Sequence, residues 1–363
     1  MIEAQECILT VIVNWPIMLA MSNEVHDYSD LSVLVTGAGG LTGQGIIRSL
    51  RAIESSPRII ATDTSLVAAG FYWADKSFML PHSSQQDLYL ASMAEKSKRN
   101  DVKVIFPGSD MEARLLSAKN PDPNIISIAA SSEKVWDVTG DKLKLSELCM
   151  RLEIPHPITY NLTTDNVEKM IKQYGFPIVI KQRVGSGSRG MTVVRSREDL
   201  SDIAFENLRD TFMVQEYLPI EDSEYTVGTY FDIHSEEKNP ITIAYRRTLY
   251  NGNTSTAITH NPKIFANTIK QLATNLGIVG YANFQFVMKD GEPHLIDLNA
   301  RFSSSTSMSL SLGYNWVETY LNNLLFNEKP TDFSYDMGIV IVRYFADLIL
   351  PSEKISKINE LLK

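Results

Sequence analysis

Pro177-Ile178-Val179-Ile180-Lys181, then Gly185-Ser186-Gly187-Ser188-Arg189-Gly190, then Met191-Thr192-Val193-Val194-Arg195 read as an apolar run ending in lysine, a glycine-rich loop and a second apolar run. A Walker-type phosphate loop carries its lysine at the end of the glycine run and continues into a helix. Here the lysine comes first and a β-like segment follows, so the stretch predicts a hairpin whose glycine tip acts as a lid. Backbone N–H groups without a neighbouring Cβ can close over a polyphosphate while Lys181 supplies a point charge from the adjoining strand. Taken alone, the same residues also fit a plain solvent-exposed hairpin.

Downstream, Asp297-Leu298-Asn299-Ala300-Arg301 places three polar groups at period two. In an extended chain they share one face, opposite Leu298 and Ala300. The segment pairs with Ala282–Lys289 across Lys289-Asp290-Gly291, read as a three-residue loop with Gly291 in the left-handed position of a G1 bulge. In that register Met288 pairs with Glu292, Gln285 opposes Leu295, and Asn283 opposes Asp297. The amides and the carboxylate then face the same way, and an all-oxygen set of Gln285, Asp297 and Asn299 suits Mg²⁺. An ordinary polar strand with a surface arginine is the plainer alternative. The surrounding segments Phe212–Tyr217 and Tyr225–Ile233, with helices at Glu198–Asn207 and Pro262–Leu276, predict an α+β module.

Upstream the grammar differs. Leu31–Thr36, Arg58–Thr62, Val102–Pro107 and Ile125–Ala130 read as strands, helical stretches begin after the glycines 37–43 and at Met111, and a parallel sheet of βαβ units follows. Gly37-Ala38-Gly39-Gly40-Leu41-Thr42-Gly43, with Asp63 ending the next strand, matches a dinucleotide fingerprint. That admits an NAD(P)-dependent epimerase or reductase. Yet the only Tyr-x-x-x-Lys, Tyr72 to Lys76, falls beside the second strand and is read as surface helix or loop. Tight turning and close helix packing explain the glycines equally well. Gly108-Ser109-Asp110 at the end of the third strand is read first as loop capping, second as an acceptor contact.

The 363 residues allow two to three domains at roughly 150 each. A net charge of −9, from 34 basic and 43 acidic residues, argues against nucleic acid or an anionic membrane as partner. Two cysteines, Cys7 and Cys149, make neither a disulfide framework nor a zinc cage, and a reducing, cytoplasmic setting is expected. Cys7–Ala20 is apolar but too short for a bilayer span and lacks a basic leader. The working protein is expected to start near Met21, with residues 1–30 an unstructured extension.

Lys142 after Thr139-Gly140-Asp141, Lys181, the Gly185–Gly190 lid, Gln215-Glu216-Tyr217-Leu218, Glu224-Tyr225, Gln285 and Asp297-x-Asn299-x-Arg301 occur in an order that resembles ATP-grasp ligases, most nearly a single module of the carbamoyl-phosphate-synthase large-chain type. The resemblance implies an α/β N-terminal Rossmann-like (pre-ATP-grasp) domain at 31–136, followed by an α+β ATP-grasp domain at 137–330. Its lid subdomain would lie at about 160–220, and a C-terminal segment, 331–363, would pack on it. It implies ATP with two Mg²⁺ ions (Mn²⁺ an alternative), small-molecule carboxylate and amine substrates, and amide formation through an acyl phosphate. A homodimer is compatible, and a non-catalytic nucleotide-binding protein is the further alternative.

By the same resemblance Lys142 and Lys181 contact the ATP phosphates under Gly185, Ser186 and Gly187. Glu216 and Leu218 form the adenine hinge, Glu224 holds the ribose, and Asp297 bridges the metals with help from Gln285 and Asn299. Arg301 stabilises the γ-phosphate, and Arg246 and Arg247 point at the acceptor, a salt-bridged strand pair being the other reading of these two. Three departures stand out: Asp297 replaces a more frequent Glu, Ala300 a frequent Pro, and the hinge 219–223 is one residue longer. A single module makes carbamoyl phosphate synthesis a poor match.

Overall fold

A computed structural model of the chain describes residues 26–185, 190–201, 203, 205–219, 223–344 and 346–348. Residues 1–25 of the extension expected at 1–30, the lid residues Ser186 and Gly187, and the final residues 349–363 lie outside them; residues 26–30 correct that expectation, since Tyr28 is buried in the core and His26 meets Glu328 at 3.0 Å.

The first sheet is parallel throughout, ordered β3-β2-β1-β4-β5. Its strands are β1 (Ser32–Val35), β2 (Arg58–Asp63), β3 (Lys76–Met79), β4 (Val102–Phe106) and β5 (Ser127–Ile128), with α1 (Leu41–Arg51), α2 (Gln86–Arg99) and α3 (Asp110–Ala118) as crossovers. Val33, Leu34 and Val35 are all buried because the sheet is covered on both faces. β3 is absent from the sequence reading. It is an edge strand, Lys-Ser-Phe-Met with largely exposed side chains, and carries no apolar run. Lys76, read there as helix or loop, opens it.

The glycine turn is a packing device. A Cβ on Gly43 would lie 2.3 Å from the Gly37 carbonyl oxygen, and one on Gly108 2.2 Å from that of Thr36. The strand order reverses between β1 and β4, so both turns open at one crevice.

Two helices, α4 (Glu133–Thr139) and α5 (Lys142–Arg151), lead onward. Asp141 starts α5 by accepting from the Leu143 N–H. The small antiparallel sheet β6-β9-β7-β8 follows, from β6 (Thr159–Asn161), α6 (Thr164–Tyr174), β7 (Ile178–Gln182), β8 (Thr192–Val194), α7 (Phe205–Leu208) and β9 (Phe212–Glu216). The helix expected at Glu198–Asn207 is broken instead into a 3₁₀ turn, Glu198–Leu200, and the single turn of α7.

The large antiparallel sheet runs β14-β13-β10-β11-β12-β15. It comprises β10 (Glu224–Phe231), β11 (Ile241–Tyr250), β12 (Asn253–His260), β13 (Gly280–Lys289), β14 (Glu292–Asn299) and β15 (Val340–Val342), with α8 (Ala266–Leu276), α9 (Thr306–Ser311) and α10 (Trp316–Phe326) packed on it. Phe265, Ile269 and Leu272 meet Val227, Phe284 and Phe286 on one face; Tyr230, Tyr281 and Trp316 join the first sheet's core on the other.

The β13–β14 turn differs from expectation. Lys289 pairs with Glu292, so the loop is the two residues Asp290-Gly291, with φ of 52° and 82°, as a type I′ turn requires. Such a turn alone would send Asp297 to the core face. A bulge corrects this: Phe286 pairs with Leu295, Gln285 with Asp297 and Asn283 with Asn299, leaving Ile296 as the extra residue. No helix among the described residues is long and apolar enough to cross a membrane.

Candidate active site

One cleft of about 670 Å³ gathers residues from all three sheets. Because strand side chains alternate, β10 and β13 present Glu224, Thr226, Asn283, Gln285 and Val287 to it, and β14 adds Asp297 and Asn299. The small sheet contributes Val179, Lys181 and Gln215, with Tyr217 and Leu218 just beyond it. The first sheet contributes Gly40–Thr42 and Gly108–Asp110.

Lys142 and Lys181 reach the cleft from α5 and β7. Lys142 Nζ donates to the Gly185 carbonyl at 2.5 Å, and its backbone N–H donates to Arg183. Arg183 in turn forms a 2.7 Å ion pair with Asp141, so the start of α5 and the glycine strand are tied together. Burial pushes the Lys181 ammonium down to about 8, helped by Lys142 and opposed by Asp297.

The donor set is composed of oxygens. Asn283, buried, accepts from Thr226 Oγ1 at 2.8 Å. Asp297 is the one carboxylate beside Gln285 and Asn299, and among the described residues no group of three or more His, Cys, Asp and Glu could hold a metal. A single carboxylate with amide oxygens, facing two lysines, has the hard-ligand chemistry of an ion that remains partly bound to water and phosphate.

Two expected ATP contacts are ion-paired. Glu216, buried, accepts from Lys289 Nζ at 2.5 Å and from the Ile158 N–H at 3.2 Å. Glu224 Oε1 accepts from Arg247, both side chains buried. Arg247 therefore serves the cross-strand pair rather than a free acceptor site. Arg246 is a correction of a different kind: opposite Tyr225 in the ladder, it is exposed on the other face of the sheet and does not line the cleft, because neighbours on a strand alternate.

Arg301 is 9% exposed. Its Nε lies 2.8 Å from Asp110 Oδ1, and its Nη1 donates to the Phe302 carbonyl at 2.6 Å. Ala130 pairs with Arg301 in an isolated bridge, and the Ser131 N–H donates to Ala300. Sequence reasoning placed Asp110 in a capping loop; Ser109 is the cap, and no local pattern announces an ion pair spanning 191 residues. At the other glycine turn, Asp63 Oδ2 accepts from the Gly39 N–H, while its Oδ1 accepts from the Ser65 N–H in the loop that follows it, so both oxygens are occupied within the fold.

Residues 139–305 match the family model described as ATP-grasp domain. The carbamoyl phosphate synthase large chain of Clostridium botulinum (strain Loch Maree / Type A3) is 24% identical over 350 residues, covering 87% of this chain. The chain spans 31% of that relative's length. Among solved structures, N5-carboxyaminoimidazole synthetase from Staphylococcus aureus complexed with ADP superposes with a TM-score of 0.68 at 14% identity, over 93% of this chain and 87% of the other. The L-amino acid ligase from Bacillus licheniformis gives 0.62 at 14% identity, over 83% and 75%.

Proposed function

We propose, from the match of residues 139–305 to the ATP-grasp domain model, that the protein is an ATP-dependent ligase joining a small-molecule carboxylate to an amine. The observation that carries the reading is the convergence of Lys142, Lys181, Gln285, Asp297, Asn299 and Arg301, spread over 160 positions, on one cleft. The first sheet is read as a Rossmann-like N-terminal domain at 31–136, with the ATP-grasp domain at 137–330, its lid at about 160–220 and the segment 331–363 behind it.

Lys142 and Lys181 hold the ATP phosphates beneath the glycine tip. The backbone of Glu216 and Leu218 reads the adenine, and Glu224 offers the ribose its Oε2, since Oε1 is taken by Arg247. Asp297, Gln285 and Asn299 would hold two Mg²⁺ ions, whose charge lowers the repulsion between nucleotide and substrate when they are bound. The substrate carboxylate attacks the γ-phosphorus and ADP leaves. The amine then attacks the acyl carbon, the acyl C–O bond breaks, and phosphate departs with the former carboxylate oxygen and the electron pair of that bond. Arg301 faces the charge that develops on the transferred group. The lid excludes water from the acyl phosphate, and the fixed strands supply orientation.

The test is ADP and phosphate release with Mg-ATP across a panel of carboxylic acids and amino acids, with and without amines, preceded by thermal shifts with ATP, ADP and NAD. Stabilisation by Mg-ATP and release that depends on an acid are expected. Stabilisation by NAD alone, or nucleotide binding with no acid-dependent release, would sink the reading.

A further inference from the structure

Among the described residues four carboxylates line the cleft: Asp110, Glu216, Glu224 and Asp297. Glu216 is held by Lys289 and Glu224 by Arg247. Asp297 stands with the amides. Asp110 is left, at the end formed by the first sheet, with 27% of its side chain exposed.

Its pairing with Arg301 is incomplete. The Oδ1–Nε separation is 2.8 Å, but the N–H is not aligned on the oxygen, and both atoms are buried without a hydrogen-bond partner. Oδ1 is thus buried against the guanidinium, while the second carboxylate oxygen, Oδ2, makes no hydrogen bond within the described residues and is the atom left to meet a substrate N–H. Nearby groups are occupied: Ser109 Oγ donates to Glu112, Thr36 Oγ1 accepts from the Gly108 N–H, and Arg301 Nη1 is on Phe302.

The two substrates make opposite demands. A carboxylate and a triphosphate are drawn to lysine and arginine, which repel an incoming ammonium. The amine needs an acceptor for its N–H groups within reach of the acyl carbon that Arg301 faces, and it must shed a proton as the bond forms. We propose that Asp110 is the receptor and proton acceptor for the amine substrate. This rests on the ligase reading above. The uncharged amine forms the C–N bond as the acyl C–O bond breaks, and phosphate leaves with that electron pair. The N–H proton passes to Asp110 and then to the departing phosphate, which ends as hydrogen phosphate.

The experiment separates the two half-reactions in the intact chain. Acid-dependent positional isotope exchange in ATP labelled with ¹⁸O at the β,γ-bridge reports acyl phosphate formation without amine. Amide formation is then followed with ammonium, methylamine and the proteinogenic amino acids as amine probes. For Asp110→Asn, exchange within threefold of wild type is expected, with kcat/KM for the amine at least 100-fold lower. Asp110→Glu should recover at least tenfold of that loss, and should carry the same comparison if the Asn variant does not fold. Equal loss of both half-reactions would mean that Asp110 only seats Arg301 and would overturn the proposal. So would unchanged amide formation, or a wild type that exchanges isotope yet joins none of these amines. A wild type with no acid-dependent exchange would instead overturn the ligase reading.

Discussion

Gln285 and Asp297 stand opposite each other on β13 and β14 because Ile296 drops out of the ladder between them. The bulge reconciles a tight two-residue turn with a polar face six residues away. Asp297 supplies the only full charge in that donor set, so Asp297→Asn should cut acid-dependent ADP release by about 100-fold or more. The urea midpoint should stay at the wild-type value. Gln285→Ala should lose less, on the order of tenfold.

Lys181 gives the alkaline behaviour. Its ammonium titrates at about 8 in the free protein against an ordinary value of 10.5, so between those limits the unfolded chain holds more protons than the folded one. Global stability contributed by this group therefore rises across that window. Phosphate binding needs the charged form, so ATP affinity of the free protein should fall with pH above 8, approaching tenfold per unit. Titrating nucleotide binding from pH 7 to 9.5 measures this, and Lys181→Arg should flatten the curve.

Glu224 and Arg247 are a buried cross-strand pair with side chains 7% and 9% exposed. Truncating one partner strands the other charge, so Arg247→Met should cost about 3–5 kcal/mol in chemical denaturation. The double variant Glu224→Gln, Arg247→Met should cost less than that single change. Additive losses would show that the two side chains do not depend on each other.

Gly43 and Gly40 should respond differently to the same methyl group. At Gly43 it would press 2.3 Å from the Gly37 carbonyl; at Gly40 the nearest atom is 3.4 Å away. Gly43→Ala should lose about 3 kcal/mol of stability, and Gly40→Ala about 1 kcal/mol or less. Equal losses would count against the packing role of the turn.

Much of this was legible in the sequence where apolar runs carried the signal. β1, β2 and β4 of the buried parallel sheet, and β7, β9, β10, β13 and β14, lie within a few residues of their expected bounds. β3 escaped because an exposed edge strand has no apolar period to read. β11 and β12 were marked only by Arg246 and Arg247, because their mixed Thr, Tyr and Arg composition serves two differently covered faces. Counting from a turn fixes which residues share a face only if no bulge intervenes, and nothing in Leu295-Ile296-Asp297 announces one. The spacing of Arg246 and Arg247 already held the answer that both cannot enter one cleft. The Asp110–Arg301 contact depends on how two sheets dock, which no local pattern encodes.

The seating of Ala300 and Arg301 against Ala130 and Ser131 bears on how the chain can be cut. A fragment beginning at residue 137 would keep the lysines and the oxygen donors but lose the Asp110 carboxylate and the backbone brace on which the arginine rests. Its guanidinium would be free to swing into solvent. Such an excised piece should still capture nucleotide while turning over poorly, although it contains the whole stretch that the family match spans.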